Sequence, residues 1–246
     1  MTYHPFHTFG EDRPGRWLIT CDHATNAVPE SVAGGDLGLP EADMARHIAY
    51  DPGAAGVTLA LAEMLDSPCV TANFSRLVID PNRGEDDPTL LMKLYDGSII
   101  PANRQAGQAE RERRLNLCYR PYHREVARLA ARQDDTLYVA VHSFTPQFKG
   151  RDPRPWHVAV LFADDERLSA PLIDLLRREG DLVVGANEPY RGDLPGDSVD
   201  RHAIAHGRAN ALIEIRNDLI QTDAQQYEWA RRLAPILEAA RAKADV

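Results

Sequence analysis

Leu137-Tyr138-Val139-Ala140-Val141-His142-Ser143 decides how this chain folds. Five consecutive apolar residues, bounded by polar ones, mark a strand buried on both faces at the centre of a sheet. The run stops on an imidazole and a hydroxyl. The same habit recurs outward from this strand. Trp17-Leu18-Ile19-Thr20-Cys21 runs into Asp22-His23-Ala24-Thr25-Asn26, and Cys69-Val70-Thr71-Ala72 precedes Ser75-Arg76 and Asp80-Pro81-Asn82-Arg83. Ala211-Leu212-Ile213-Glu214-Ile215-Arg216 carries a carboxylate inside a late apolar strand. Further strands are expected at 77–79, 157–162 and 182–184.

Helical signals lie between the strands. A short helix is expected over 41–48. Asp51-Pro52-Gly53 opens another, with Val57, Leu61, Met64 and Leu65 on one stripe. Leu115, Cys118, Tyr122, Val126 and Leu129 share a face that Pro121 must kink or divide. A helix is expected around 168–178. Thr222-Asp223-Ala224-Gln225 is a capping-box signature for a last helix through Trp229, Leu233, Ile236, Leu237 and Ala240. This alternation predicts a three-layer α/β fold, with a mostly parallel or mixed central sheet and helices on both faces. Ligands of such folds gather beyond the carboxyl ends of the strands, where the polar clusters fall. No linker or repeat interrupts the 246 residues, so a single domain over 1–246 is expected.

The net charge of −9, from 28 basic and 37 acidic residues, argues against a general nucleic-acid binder. An anionic substrate must then be drawn by local arginines. Cys21, Cys69 and Cys118 are widely spaced and form no CxxC pair, which excludes a cysteine-rich zinc site. Their odd count and the lack of a secretory leader point to a cytoplasmic protein. No apolar stretch approaches the roughly 18–20 residues that span a membrane.

A catalytic zinc takes about three protein ligands and leaves a position open for water. His23 and His142 each follow an apolar strand, so they can converge on such an ion. Asp51 is the preferred third ligand; as a plain helix cap it would do nothing more. Asn26 and Asp22 remain alternatives, the first a poor ligand, the second on the other side of the strand from His23. Glu214 is costly to bury unpaired. It is either a salt-bridge partner or the general base that moves water's proton to a leaving nitrogen. Arg76 suits stabilisation of an oxyanion. Asn82 and Arg83, with Arg216, supply the fork and amide that a substrate carboxylate needs. Ion pairs with Asp80, Glu85 or Asp86 are the plain alternative for this group.

These residues form an ordered set. Cys21-Asp-His-Ala-Thr-Asn26, Asp51-Pro-Gly-Ala54, Ser75-Arg-Leu-Val-Ile-Asp-Pro-Asn-Arg83, His142-Ser-Phe-Thr-Pro146, Asn187-Glu-Pro-Tyr190 and Glu214-Ile-Arg-Asn-Asp218 together resemble the N-formylglutamate amidohydrolase family, over about residues 17–220. The resemblance implies hydrolysis of N-formyl-L-glutamate to formate and L-glutamate, the last step of one histidine-degradation route, by a metal-dependent mechanism. A more distant similarity reaches the zinc carboxypeptidase and aspartoacylase fold, also described as phosphorylase/hydrolase-like. There His23, Asn82-Arg83, His142 and Glu214 match in order and type. The departure is Asn26, which stands where that group has a glutamate; Asp51 is then expected to take its place. The family pattern also suggests a lid over 187–202, with Asn187, Tyr190 and His202, within a Gly-, Pro- and Asp-rich loop over 185–207. Three rival readings remain: a related amidase for another N-acyl amino acid or peptide, a metal-free binding protein on the same fold, and a Ser-His-Asp or cysteine hydrolase, the last with Cys21 beside His23 but no GxSxG elbow. Metal content and chelator-sensitive turnover separate enzyme from binding protein. The metal expected is zinc, although cobalt, manganese or iron suit a similar donor set.

Overall fold

The computed structural model describes residues 3–244 and 246. Its strands are β1 (Phe6–Phe9), β2 (Trp17–Cys21), β3 (Cys69–Ala72), β4 (Leu94–Tyr95), β5 (Ser98–Ile99), β6 (Leu137–Phe144), β7 (Val158–Leu161), β8 (Val184–Ala186) and β9 (Asn210–Arg216). Its helices are α1 (Glu41–Met44), α2 (Ala54–Met64), α3 (Pro101–Arg104), α4 (Gln108–Arg114), α5 (Arg120–Ala130), α6 (Ser169–Arg178), α7 (Ser198–His202) and α8 (Asp223–Ala244). Seven strands form one sheet in the order β1-β3-β2-β6-β9-β7-β8, and β4-β5 is a separate hairpin. The sheet is mixed. β3, β2, β6 and β9 run parallel, whereas β1 and β7 pair antiparallel to β3 and β9.

β6 is central and buried along its whole length. Its residues alternate between two cores, as the pleat requires. Leu137, Val139 and Val141 join the layer of α2, α6 and α8, with Leu61, Leu172 and Leu233. Tyr138 and Ala140 join the layer of α5 and α7, with Tyr122, Val126 and Val199. This parity has a functional consequence. His142 continues the second face, and its register partner Glu214 lies on the same face of β9 as Leu212. The α/β architecture expected from the sequence is present.

Four local features differ from the sequence expectation. Residues 77–79 are not a strand: the chain turns there, with Val78 N–H donating to Ser75 O and Leu77 N–H to Ser75 Oγ. A serine bonding its own following backbone diverts the chain from a ladder. The helix expected over 41–48 stops at Met44. The edge strand β1 and the β4-β5 hairpin were not expected. The division at Pro121 takes a specific form: a π turn over Leu115–Tyr119 joins α4 to α5. Proline lacks the N–H that would bond back into the preceding turn, and the widened turn absorbs that loss. The capping box is present, with Gln225 N–H on Thr222 Oγ1 at 3.3 Å and Thr222 N–H on Gln225 Oε1 at 3.0 Å.

Candidate metal centre and active site

His23 leaves the end of β2, and Asp51 returns to it through the 27–50 loop: Asp51 N–H donates to His23 O at 2.8 Å. Asp51 does not cap α2. Gly53 occupies that position at φ 82°. A Cβ on Gly53 would lie 2.2 Å from the Ile220 carbonyl oxygen, so only glycine lets the chain pass there. The Asp51 side chain is thereby free to turn inward. Its Oδ2 lies 3.3 Å from His23 Nδ1 and 2.8 Å from His142 Nδ1. One ligand atom from each of His23, Asp51 and His142 lies within 4.8 Å of the others, and all three residues are buried.

The far nitrogen of each ring faces a second carboxylate. His23 Nε2 is 2.7 Å from Asp80 Oδ1, and His142 Nε2 is 3.3 Å from Asp22 Oδ2. This arrangement orients a ligating imidazole and fixes its tautomer. Asp22 is held from behind by the Tyr122 hydroxyl at 2.5 Å and the Ser198 hydroxyl at 2.9 Å. Burial opposes charge on Asp22, but the adjacent His142 and the hydrogen bond from Tyr122 hold its carboxyl down at about 2. Burial likewise opposes charge on Asp80, yet Arg76 and His23 keep it well below the ordinary carboxylate range.

Arg76 donates to Asp51 Oδ1 at 3.3 Å and to Asp80 Oδ2 at 3.1 Å. Its fork is therefore occupied by the carboxylates around the two histidines. Glu214 stands alone: it is buried, its Oε2 has no hydrogen-bond partner, and burial lifts its carboxyl to about 7. Asp22, Asp51, Asp80 and Glu214 thus gather about the two histidines, and Arg76 pairs with only two of them, Asp51 and Asp80. Buried charge of one sign is costly without compensation. Two imidazole nitrogens and a carboxylate oxygen, with excess negative charge around them, fit a divalent cation of the zinc type.

The group opens into a cavity of about 450 Å³. His23, Asp51, Arg76, Asn82, Arg83, His142 and Glu214 all line it. Arg83 donates to Thr89 Oγ1 and to Asn82 O, and neither partner is a carboxylate. Of the expected ion-pair partners, Asp80 goes to Arg76 and Glu85 goes to Arg120.

Arg216 calls for a correction. It was expected at the substrate, but it does not line the cavity. Asp218 accepts from its Nε at 2.8 Å, and the carbonyls of Arg154 and Trp156 accept from Nη1. The turn just after β9 supplies Asp218, the segment before β7 supplies the two carbonyls, and together they hold the guanidinium. Asn26 donates to Met44 O at 2.9 Å and ties down the 27–50 loop. His202 is neither at the surface nor in the cavity: it is buried 2.8 Å from His123 Nδ1. Cys21 is fully buried, and burial pushes its thiol well up, against a role as nucleophile.

Several residues of the site escaped the sequence reading. In the sequence Asp22 reads as a candidate ligand and Asp80 as an ion-pair partner, neither as support for a histidine ring, because a supporting carboxylate is defined by what it faces. Tyr119 and His123 follow the same pattern: Tyr119 donates to Arg83 O at 2.6 Å, and His123 Nε2 lies 3.0 Å from Pro81 O. With Tyr122, they send three side chains from the π turn and α5 to the back of the site. His47 and Tyr95, the latter on the β4-β5 hairpin, line the cavity without any sequence signal. Tyr190 and Asp197, from the segment between β8 and α7, cover it. Among the described residues no helix is long and apolar enough to cross a membrane.

The chain is similar to several known proteins. A family model described as N-formylglutamate amidohydrolase matches residues 15–221. No curated protein matches the chain. The solved structure of a gene product from Agrobacterium tumefaciens is 31% identical, with a TM-score of 0.92, covering 98% of this chain and 96% of that one. N-formylglutamate amidohydrolase from Ralstonia eutropha JMP134 is 23% identical, with a TM-score of 0.65, covering 97% and 98%. A bacteriophage poly-gamma-glutamate hydrolase shares the fold at 10% identity and a TM-score of 0.51, covering 98% and 90%. With most of its length matched by the family model, the chain belongs to the N-formylglutamate amidohydrolase family.

Proposed function

We propose that this protein is a metal-dependent amidohydrolase that cleaves the amide bond of an N-acyl acidic amino acid, first among them N-formyl-L-glutamate. The products are formate and L-glutamate, as at the end of a histidine-degradation route. The observation that carries the proposal is the meeting of His23, Asp51 and His142 beside an unpartnered Glu214 in one cavity.

His23 and His142 would hold zinc through Nδ1, and Asp51 through a carboxylate oxygen. Zinc, when bound, acidifies water and polarises a carbonyl. The residues of the chain do the rest. Asp80 and Asp22 keep the two rings oriented. Glu214 accepts a proton from the attacking water and returns it to the leaving nitrogen; a carboxyl near 7 is suited to both transfers. Arg83 receives the substrate carboxylate, helped by Asn82. Arg76 first neutralises Asp51 and Asp80, and its positive charge lies beside the developing oxyanion.

Formate release from N-formyl-L-glutamate by the purified protein tests this directly. Turnover that a chelator abolishes and zinc restores supports it. A metal-replete protein that hydrolyses no N-acyl amino acid contradicts it.

A further inference from the structure

Arg154 has no carboxylate partner among the described residues. Its Nη1 donates to Thr145 O at 3.1 Å and its Nη2 to the Tyr190 hydroxyl oxygen at 2.9 Å. Aromatic faces surround the rest of the group. The guanidinium carbon lies 4.2 Å from the ring centre of Phe148, 5.0 Å from that of Tyr190 and 5.7 Å from that of Phe144. Such faces hold a guanidinium in place and leave its positive charge uncancelled. Phe144, Thr145 and Tyr190 line the cavity, and Arg154 stands behind them.

Tyr190 is therefore bonded on one side only. Its oxygen accepts from Arg154, and no described residue accepts its hydrogen. A phenol carries one O–H donor and keeps it at neutral pH. A cation that bonds the oxygen polarises that O–H and makes it a stronger donor. The lining carboxylates of the same segment are engaged elsewhere: Asp193 accepts from Arg191, and Asp197 accepts from Asp200 N–H.

The strand order separates this donor from Arg83. Arg83 follows β3, whereas Arg154 precedes β7 and Tyr190 follows β8. Strands β2, β6 and β9 lie between β3 and β7, and β6 and β9 carry His142 and Glu214. The cavity thus has one anion-binding group from each half of the sheet, with the metal group and the unpartnered carboxylate on the strands between.

We propose that Tyr190, backed by the charge of Arg154, binds the side-chain carboxylate of an acidic substrate, while Arg83 binds the α-carboxylate. Tyr190 touches the substrate; Arg154 is a positioning residue that acts through it. The inference rests on the amidohydrolase reading above and adds what selects an acidic amino acid over a neutral one.

The test compares kcat/KM for N-formyl-L-glutamate and N-formyl-L-glutamine, which differ in charge at nearly equal size, with the zinc-loaded protein. The wild-type ratio is expected to favour the glutamate compound by about tenfold or more. Tyr190→Phe and Arg154→Gln are each expected to lower that ratio by about tenfold, the scale of a lost hydrogen bond to a charged group. Arg154→Lys, which keeps the charge, is expected to retain more of the ratio than Arg154→Gln. A role confined to holding the 145–154 segment would lower both substrates alike and leave the ratio unmoved. A wild-type ratio near one, or a ratio unmoved by Tyr190→Phe or by Arg154→Gln, overturns the inference; hydrolysis of the glutamate compound in that case leaves the amidohydrolase reading standing. Hydrolysis of neither compound by the wild-type protein overturns both.

Discussion

His142 and Glu214 are register partners on the adjacent parallel strands β6 and β9, and both side chains reach the same cavity. The pleat places them on one face, so the imidazole proposed to hold a metal and an unpaired carboxylate become neighbours without any loop to position them. Rigid strands hold such a pair more accurately than loops do.

Glu214→Gln is expected to retain metal and lose about two or more orders of magnitude in turnover, the scale of a lost general base. Metal analysis and formate release on the same preparation check this. Loss of metal in that variant would make Glu214 a ligand instead.

Asp22→Asn and His142→Ala should separate support from ligation. Asp22 faces the outer nitrogen of His142 at 3.3 Å, so the asparagine variant is expected to weaken zinc affinity by about 10–100-fold while still binding it. His142→Ala is expected to lose stoichiometric metal. A competition titration with a chelator reads both. Equal affinity in Asp22→Asn and the parent protein would remove Asp22 from the metal's support.

Arg83→Lys is expected to raise KM strongly with little change in thermal stability, because an ammonium group cannot reproduce the guanidinium fork. Its hydrogen bonds to Thr89 and Asn82 are few and local, which keeps the fold independent of it. Unchanged steady-state kinetics would place the substrate carboxylate elsewhere.

Asp197, on the rim of the cavity, supplies a pH prediction. Burial raises its carboxyl from 3.8 to about 6. Between these values the unfolded chain gives up the proton while the folded chain keeps it. Stability therefore falls as pH rises through this window, and the full cost is present above about 6. Asn can still accept the Asp200 N–H that Asp197 accepts at 2.7 Å. Asp197→Asn is therefore expected to gain up to about 3 kcal/mol at pH 7–8 and little at pH 4. Denaturant melts at the two pH values decide it, and an equal gain at both would assign the effect to packing.

The sequence was legible where the physics is local. The apolar run of β6 and the pattern of β9 required a buried sheet, and polar residues interrupting those runs marked its functional end. The capping box of α8 was equally direct. Leu77-Val78-Ile79 misled because three buried apolar residues look alike in a strand and in a turn; Ser75 decided the outcome. β1 pairs at an edge with half its residues exposed, and β4 and β5 have two residues each, too short for a periodic signal. Asp51 could be read either as a cap or as a site residue until the left-handed Gly53 was seen at the helix start. Arg216 shares a strand with Glu214 but is captured by Asp218 and two carbonyls, partners brought there only by the tertiary fold.

Anomalous diffraction at the zinc absorption edge, from crystals of the metal-loaded protein, tests the central claim most directly. The account predicts a single strong peak at about 2.0–2.2 Å from His23 Nδ1, His142 Nδ1 and an Asp51 carboxylate oxygen. A peak bound through other residues, or none between these three in fully loaded protein, would contradict it.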